Sequence, residues 1–145
     1  MTAPLYTTDI LRLAASVPHG ERLAAPMATS SKRSPICGSE VTVDVTVDED
    51  GRVADLGMLV RACALGQASA SVMAQHAIGR TAEDLAQARD ALAAWLGGEG
   101  HAPDWPGLQV LAPALPHSGR HASIRLPFEA IADAGERAAK RAPAR

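Results

Sequence analysis

From Val41 to Val47 apolar and polar residues alternate without a break (Val41-Thr42-Val43-Asp44-Val45-Thr46-Val47). A period of two predicts a strand with one buried face, and it puts Asp44 on the solvent side. Asp48-Glu49-Asp50-Gly51 supplies a turn, with Gly51 suited to a positive φ. Arg52 to Val60 returns as a second strand, with Val53, Leu56, Met58 and Val60 as its apolar positions. Helical spacing governs most of the remaining chain. Thr8-Asp9 offers an N-cap for a short helix that carries Ile10, Leu11, Leu13, Ala14 and Val17 and stops at Pro18 to Gly20. Glu21 to Pro35 is mixed and reads as loop with an edge strand. Ala64 to Ile78, dense in alanine and ending at Gly79, reads as a second helix. Thr81-Ala82-Glu83-Asp84 is a capping box that opens a third helix, Ala82 to Leu96. A Pro- and Gly-rich loop follows, His101 to Gly119, from which Trp105, Leu108, Val110 and Leu111 dip into the core. Pro127 suits the first turn of a last helix ending near Ala139.

This order predicts an α+β fold, a small antiparallel sheet of about three strands around a central hairpin with helices packed on one face. The 145 residues suffice for one domain, residues 1–145, with about 1–5 and 137–145 as flexible termini. Apolar residues make up 47% of the chain and aromatics 3%, so the core is aliphatic and alanine-rich. A net charge of −2 without a clustered basic face argues against a nucleic-acid partner. No run of ~18 apolar residues predicts a membrane helix, and the start lacks a signal-peptide layout. A cytoplasmic protein with reduced thiols is expected.

The candidate chemistry sits at the two cysteines, Cys37 before the first hairpin strand and Cys63 after the second. A hairpin brings those two ends together. A thiol at a helix start is favoured as thiolate, and Cys63 stands at such a place. Two thiolates form half a soft-metal site, whereas closed zinc sites and common clusters take four ligands. Candidates for the missing donors are Ser39, two residues after Cys37, and His121 and Ser123, just before the last helix, while His19, His76, His101 and His117 are scattered. Inert packing of both thiols is the competing reading. There is no phosphate-binding glycine loop, no dinucleotide fingerprint and no nucleophile elbow.

Ser34-Pro35-Ile36-Cys37-Gly38, the hairpin, Ala62-Cys63-Ala64-Leu65 with the small-residue helix after it, Ile78-Gly79-Arg80-Thr81 and Leu126-Pro127-Phe128-Glu129-Ala130-Ile131 occur in an order that resembles a known family. That family is the U-type iron–sulfur cluster assembly scaffold, which is also the N-terminal domain of the nitrogen-fixation scaffold (NifU). The resemblance covers roughly residues 5 to 135 and implies a SufE/NifU-like fold. It implies a non-enzymatic scaffold that accepts sulfur from a cysteine desulfurase, holds iron, a labile iron–sulfur cluster or zinc, and serves recipient apoproteins, with a homodimer among its states. The long loop between the later helices looks closer to the zinc-binding branch. Family members bind metal through three cysteines and one aspartate. The first two cysteines map to Cys37 and Cys63, the aspartate to Ser39 and the third cysteine to Ser123, with His121 as a nearby substitute on an extended segment. The replaced ligands also fit an alternative, a metal-free paralogue acting as an adaptor or regulator of a desulfurase.

Overall fold

A computed structural model describes residues 5–35 and 38–141. Helix α1 (Thr8–Ala15) leads to strand β1 (Ala28–Arg33), the hairpin of β2 (Glu40–Val47) and β3 (Val53–Arg61), then α2 (Ala64–His76) and α3 (Ala82–Leu96). Two 3₁₀ segments, Leu108–Ala114 and Ser118–Arg120, precede α4 (His121–Arg141). The sheet order is β1-β2-β3, antiparallel throughout.

Val41, Val43 and Val45 pair with Val60, Met58 and Leu56, and this face of the hairpin packs under α4. Gly51 takes the left-handed conformation at the turn, φ 77°, as the sequence requires. The expected edge strand is β1, which also carries polar ties to α4. Ser30 Oγ donates to Asp133 at 2.7 Å, and Lys32 lies 3.6 Å from the same carboxylate.

Helix α2 is buried nearly all round, through Leu65, Gly66, Ala68 to Ala74. Its small residues let α1 and α4 approach closely from two sides. Ser69 Oγ donates to the Ile124 carbonyl at 2.6 Å, fixing α2 against the start of α4. Helix α3 opens with the predicted capping box. Asp84 N–H donates to Thr81 Oγ1 at 3.1 Å, and Thr81 N–H donates to Asp84 Oδ2 at 3.0 Å. In the proline-rich loop Trp105, Leu108 and Leu111 are buried as expected, and Val110 is half-buried. Trp105 stacks edge-on against Phe128 and donates its indole N–H to the Val72 carbonyl at 3.0 Å.

Four expectations need correction. The cap of α1 is Thr7, whose Oγ1 accepts from Ile10 N–H at 3.2 Å, and the helix ends before Val17. Helix α4 starts six residues earlier than predicted, at His121, with Pro127 inside it. A proline breaks a helix by lacking an N–H and crowding the carbonyl four residues back. Here that carbonyl belongs to Ser123, so the loss falls near the open end of the helix. Residues 137–141 continue α4 instead of fraying, with Arg137 bonded to the Thr29 carbonyl and Arg141 to the Met27 carbonyl. Asp44 is fully buried, not solvent-facing. Arg22 grips its carboxylate with two bonds (2.6 and 3.0 Å), Thr29 Oγ1 donates at 2.6 Å and Leu23 N–H at 3.0 Å. The Glu21–Leu23 segment thus lies across the sheet face opposite α4. It fits because Asp44 pairs with Gly57, where a Cβ would come within 2.5 Å of the Glu21 carbonyl oxygen.

Candidate functional site

At the open end of the hairpin, β3 ends at Arg61 and α2 begins at Ala64, with Cys63 as its N-cap. The cap residue has extended backbone (φ −65°, ψ 172°), so its side chain sits over the first turn of the helix. Ser39 enters from the segment before β2, and Ser123 from the first turn of α4. Ser123 Oγ lies 3.4 Å from Cys63 Sγ and 3.0 Å from Ser39 Oγ. Both serines are buried, at 2% and 5% exposure, while Cys63 is half-buried and lines an open cleft of about 310 Å³. Arg61 and Arg120 stand at the same cleft.

With Cys63 ionised, the three side chains form a directed relay: a thiolate only accepts, so Ser123 donates to it, and with that proton used Ser39 donates to Ser123. Burial pushes the Cys63 thiol up, but the Ser123 hydroxyl, the Gly66 and Leu65 backbone N–H groups and the Arg120 guanidinium outweigh it. The net effect holds the thiol below its ordinary range. Gly66 keeps the geometry open, because a Cβ there would meet Ala62 Cβ at 2.7 Å and Ser123 Oγ at 2.9 Å.

Of the sequence-predicted residues, Cys63, Ser39 and Ser123 come together. Cys37 lies outside the described residues. His121 does not join them. Its Nε2 is 3.0 Å from both the Ala114 and Leu115 carbonyl oxygens, and since carbonyls only accept, Nε2 carries a proton and donates there. The expectation that His121 shares a face with Ser123 assumed an extended segment. On a helix, residues two apart point to nearly opposite sides. Arg61, Arg120 and Gly66 escaped the sequence reading. The available signals were an arginine three residues before Ser123 and a glycine three after Cys63.

A model of the NifU-like N-terminal domain matches residues 6–104. The chain belongs to this NifU-like family. The match includes positions 37, 39 and 63 and stops short of Arg120 and Ser123. Among solved structures, the N-terminal part of a nitrogen-fixing NifU-like protein from Brucella abortus is 40% identical. The alignment covers 94% of this chain and 95% of that one, with a TM-score of 0.86. A protein from Fervidobacterium islandicum AW-1, described as an iron–sulfur cluster assembly scaffold for the SUF system, shares the fold at 19% identity. It has a TM-score of 0.82, and the alignment covers 90% of this chain and 96% of that chain. No curated protein matches. The expected α+β fold is thus the fold of this family.

A resident zinc ion does not fit the donor set of this NifU-like chain. The four positions at which the sequence resemblance implies ligands hold two thiols and two hydroxyls. The two hydroxyls are bonded to each other, one of them also to Cys63, and hydroxyls ionise far less readily than thiols. The imidazole of His121 is engaged elsewhere. Among the described residues no three His, Cys, Asp or Glu side chains converge, and no helix is long and apolar enough to cross a membrane.

Proposed function

We propose that this protein serves iron–sulfur cluster assembly as a sulfur-accepting scaffold whose working thiol is Cys63. The observation that carries the reading is the environment of that thiol, a half-buried helix N-cap beside an open cleft, 3.4 Å from Ser123 Oγ, where the first-turn backbone N–H groups and the nearby Arg120 add to the pull toward thiolate. These groups favour thiolate, the nucleophilic form. Cys63 attacks the terminal sulfur of a persulfide on a cysteine desulfurase. The sulfur–sulfur bond of the donor breaks, the terminal sulfur stays on Cys63, and the desulfurase cysteine leaves as thiolate. The protein is a carrier and scaffold without turnover of its own, acting in the reducing cytoplasm.

The cargo is a labile cluster, passed on to recipient apoproteins. Clusters are commonly held by four thiolates, and one chain brings only Cys37 and Cys63. Two chains in a homodimer, or added small thiols, complete the set. Anaerobic reconstitution with iron, sulfide and thiol, followed by desalting and iron and sulfide analysis, tests this. Iron and sulfide bound to a dimer and lost in Cys37→Ser and Cys63→Ser are expected. A monomer with a full cluster and no added thiol contradicts it.

The Ser39–Ser123 bond favours a second reading, a paralogue that engages a desulfurase as adaptor without carrying cargo. It predicts desulfurase binding with neither metal retained nor sulfur accepted.

A further inference from the structure

The cleft beside Cys63 has an unusual charge balance for a place expected to hold cations. Arg61 and Arg120 line it, and among the described residues no carboxylate does. Neither arginine enters an ion pair among the described residues. Arg61 closes β3 and is exposed, opposite Glu40 in the register yet unbridged to it. Arg120 is exposed at the same rim, favours the Cys63 thiolate by its charge and presents a fork of N–H donors. The remaining polar lining is the hydroxyl pair Ser39 and Ser123.

We propose that this cleft binds small carboxylate-bearing persulfides and disulfides, with Arg61 and Arg120 holding the carboxylate, so that they exchange sulfur directly with Cys63. The proposal rests on reading Cys63 as a sulfur-accepting thiol. Arginine suits the task because its planar fork matches a carboxylate with paired, charge-assisted bonds. The cleft volume of about 310 Å³ admits a molecule of amino-acid size. The exchange is balanced without a further reactant. With a persulfide R–S–SH, the Cys63 thiolate bonds to the outer sulfur, the R–S bond breaks and R–S⁻ leaves. With a disulfide R–S–S–R, Cys63 forms the mixed disulfide and releases one R–S⁻.

The test uses the full chain carrying Cys37→Ser, which leaves Cys63 as its only thiol. Rates are measured with three aliphatic disulfides of similar size, the anionic dithiodipropionate, the neutral bis(hydroxyethyl) disulfide and the cationic cystamine. The readout is the anionic-to-neutral rate ratio, in which any change in the reactivity of the thiol itself cancels. That ratio falls about fivefold in Arg61→Gln and in Arg120→Gln, and falls likewise near 1 M salt, where charges are screened beyond ~3 Å. The cationic reagent shifts the opposite way. Arg12→Gln on α1, along a different groove, leaves the ratio unchanged. An unchanged ratio in both cleft variants overturns the proposal while leaving Cys63 a sulfur acceptor. If Cys63 fails to react even with the neutral reagent, the acceptor reading itself falls. Should Cys37→Ser not fold, the same ratios are read on the wild-type chain by peptide mass spectrometry at Cys63.

Discussion

Ser123 illustrates how much one side chain decides here. Its hydroxyl bonds both Cys63 and Ser39, and it faces the one position in α2 where only glycine fits. Ser123→Ala removes a donor from the thiolate, so the pH midpoint for alkylation of Cys63 by a neutral reagent moves upward; an unmoved midpoint would show that the helix N–H groups and Arg120 suffice. Asp44 works on stability. Burial pushes its carboxyl up, but Arg22, Thr29 and the Leu23 N–H outweigh burial and hold it below the usual carboxylate range. A folded value below the unfolded one adds stability that is complete above about pH 4 and is lost as pH falls through the folded value. Asp44→Asn therefore costs about 2–3 kcal/mol at neutral pH, discounted because Arg22 is half exposed, and the gap from wild type narrows in acid. Denaturant melts at neutral pH and near pH 3 give both numbers. Asp44 was illegible as a buried residue because alternation names one buried face and is silent about what covers the other.

The hairpin, α2 and α3 were legible in the sequence, down to the capping box of α3, because period, turn chemistry and caps all agree there. The start of α4 was not. Pro127 reads as a first-turn residue by local rule, while the structure tolerates it six residues into the helix because the carbonyl it crowds is Ser123's, near an end. That misplacement also put His121 on the wrong side, since the face two residues share depends on whether the segment is extended or helical. The strap over the second sheet face is likewise tertiary, and Gly57 is its requirement. Gly57→Ala drives a Cβ into the backbone of Glu21 and Leu23. A loss of about 3 kcal/mol is expected from equilibrium unfolding, since neither contacting atom is the end of a flexible side chain. A cost below 1 kcal/mol would mean that the strap yields.

For the molecule as a whole, the architecture serves one corner. Strands β2 and β3 carry Ser39 and Cys63 to the same end, α2 offers its N-terminus to the thiol, and α4 delivers Ser123 while Arg120 arrives just before it. The family and its fold follow from the order of short motifs, none decisive alone. Two of the positions at which the resemblance implies ligands hold Ser39 and Ser123, and that moves the account from metal holding by a single chain toward sulfur acceptance on one thiol. The most direct test is to incubate the protein with a cysteine desulfurase and cysteine under anaerobic conditions, then map added sulfur by peptide mass spectrometry. The account predicts a persulfide on Cys63 in the wild type and in Cys37→Ser, and none in Cys63→Ser. Sulfur absent from Cys63, or found only on Cys37, would contradict it.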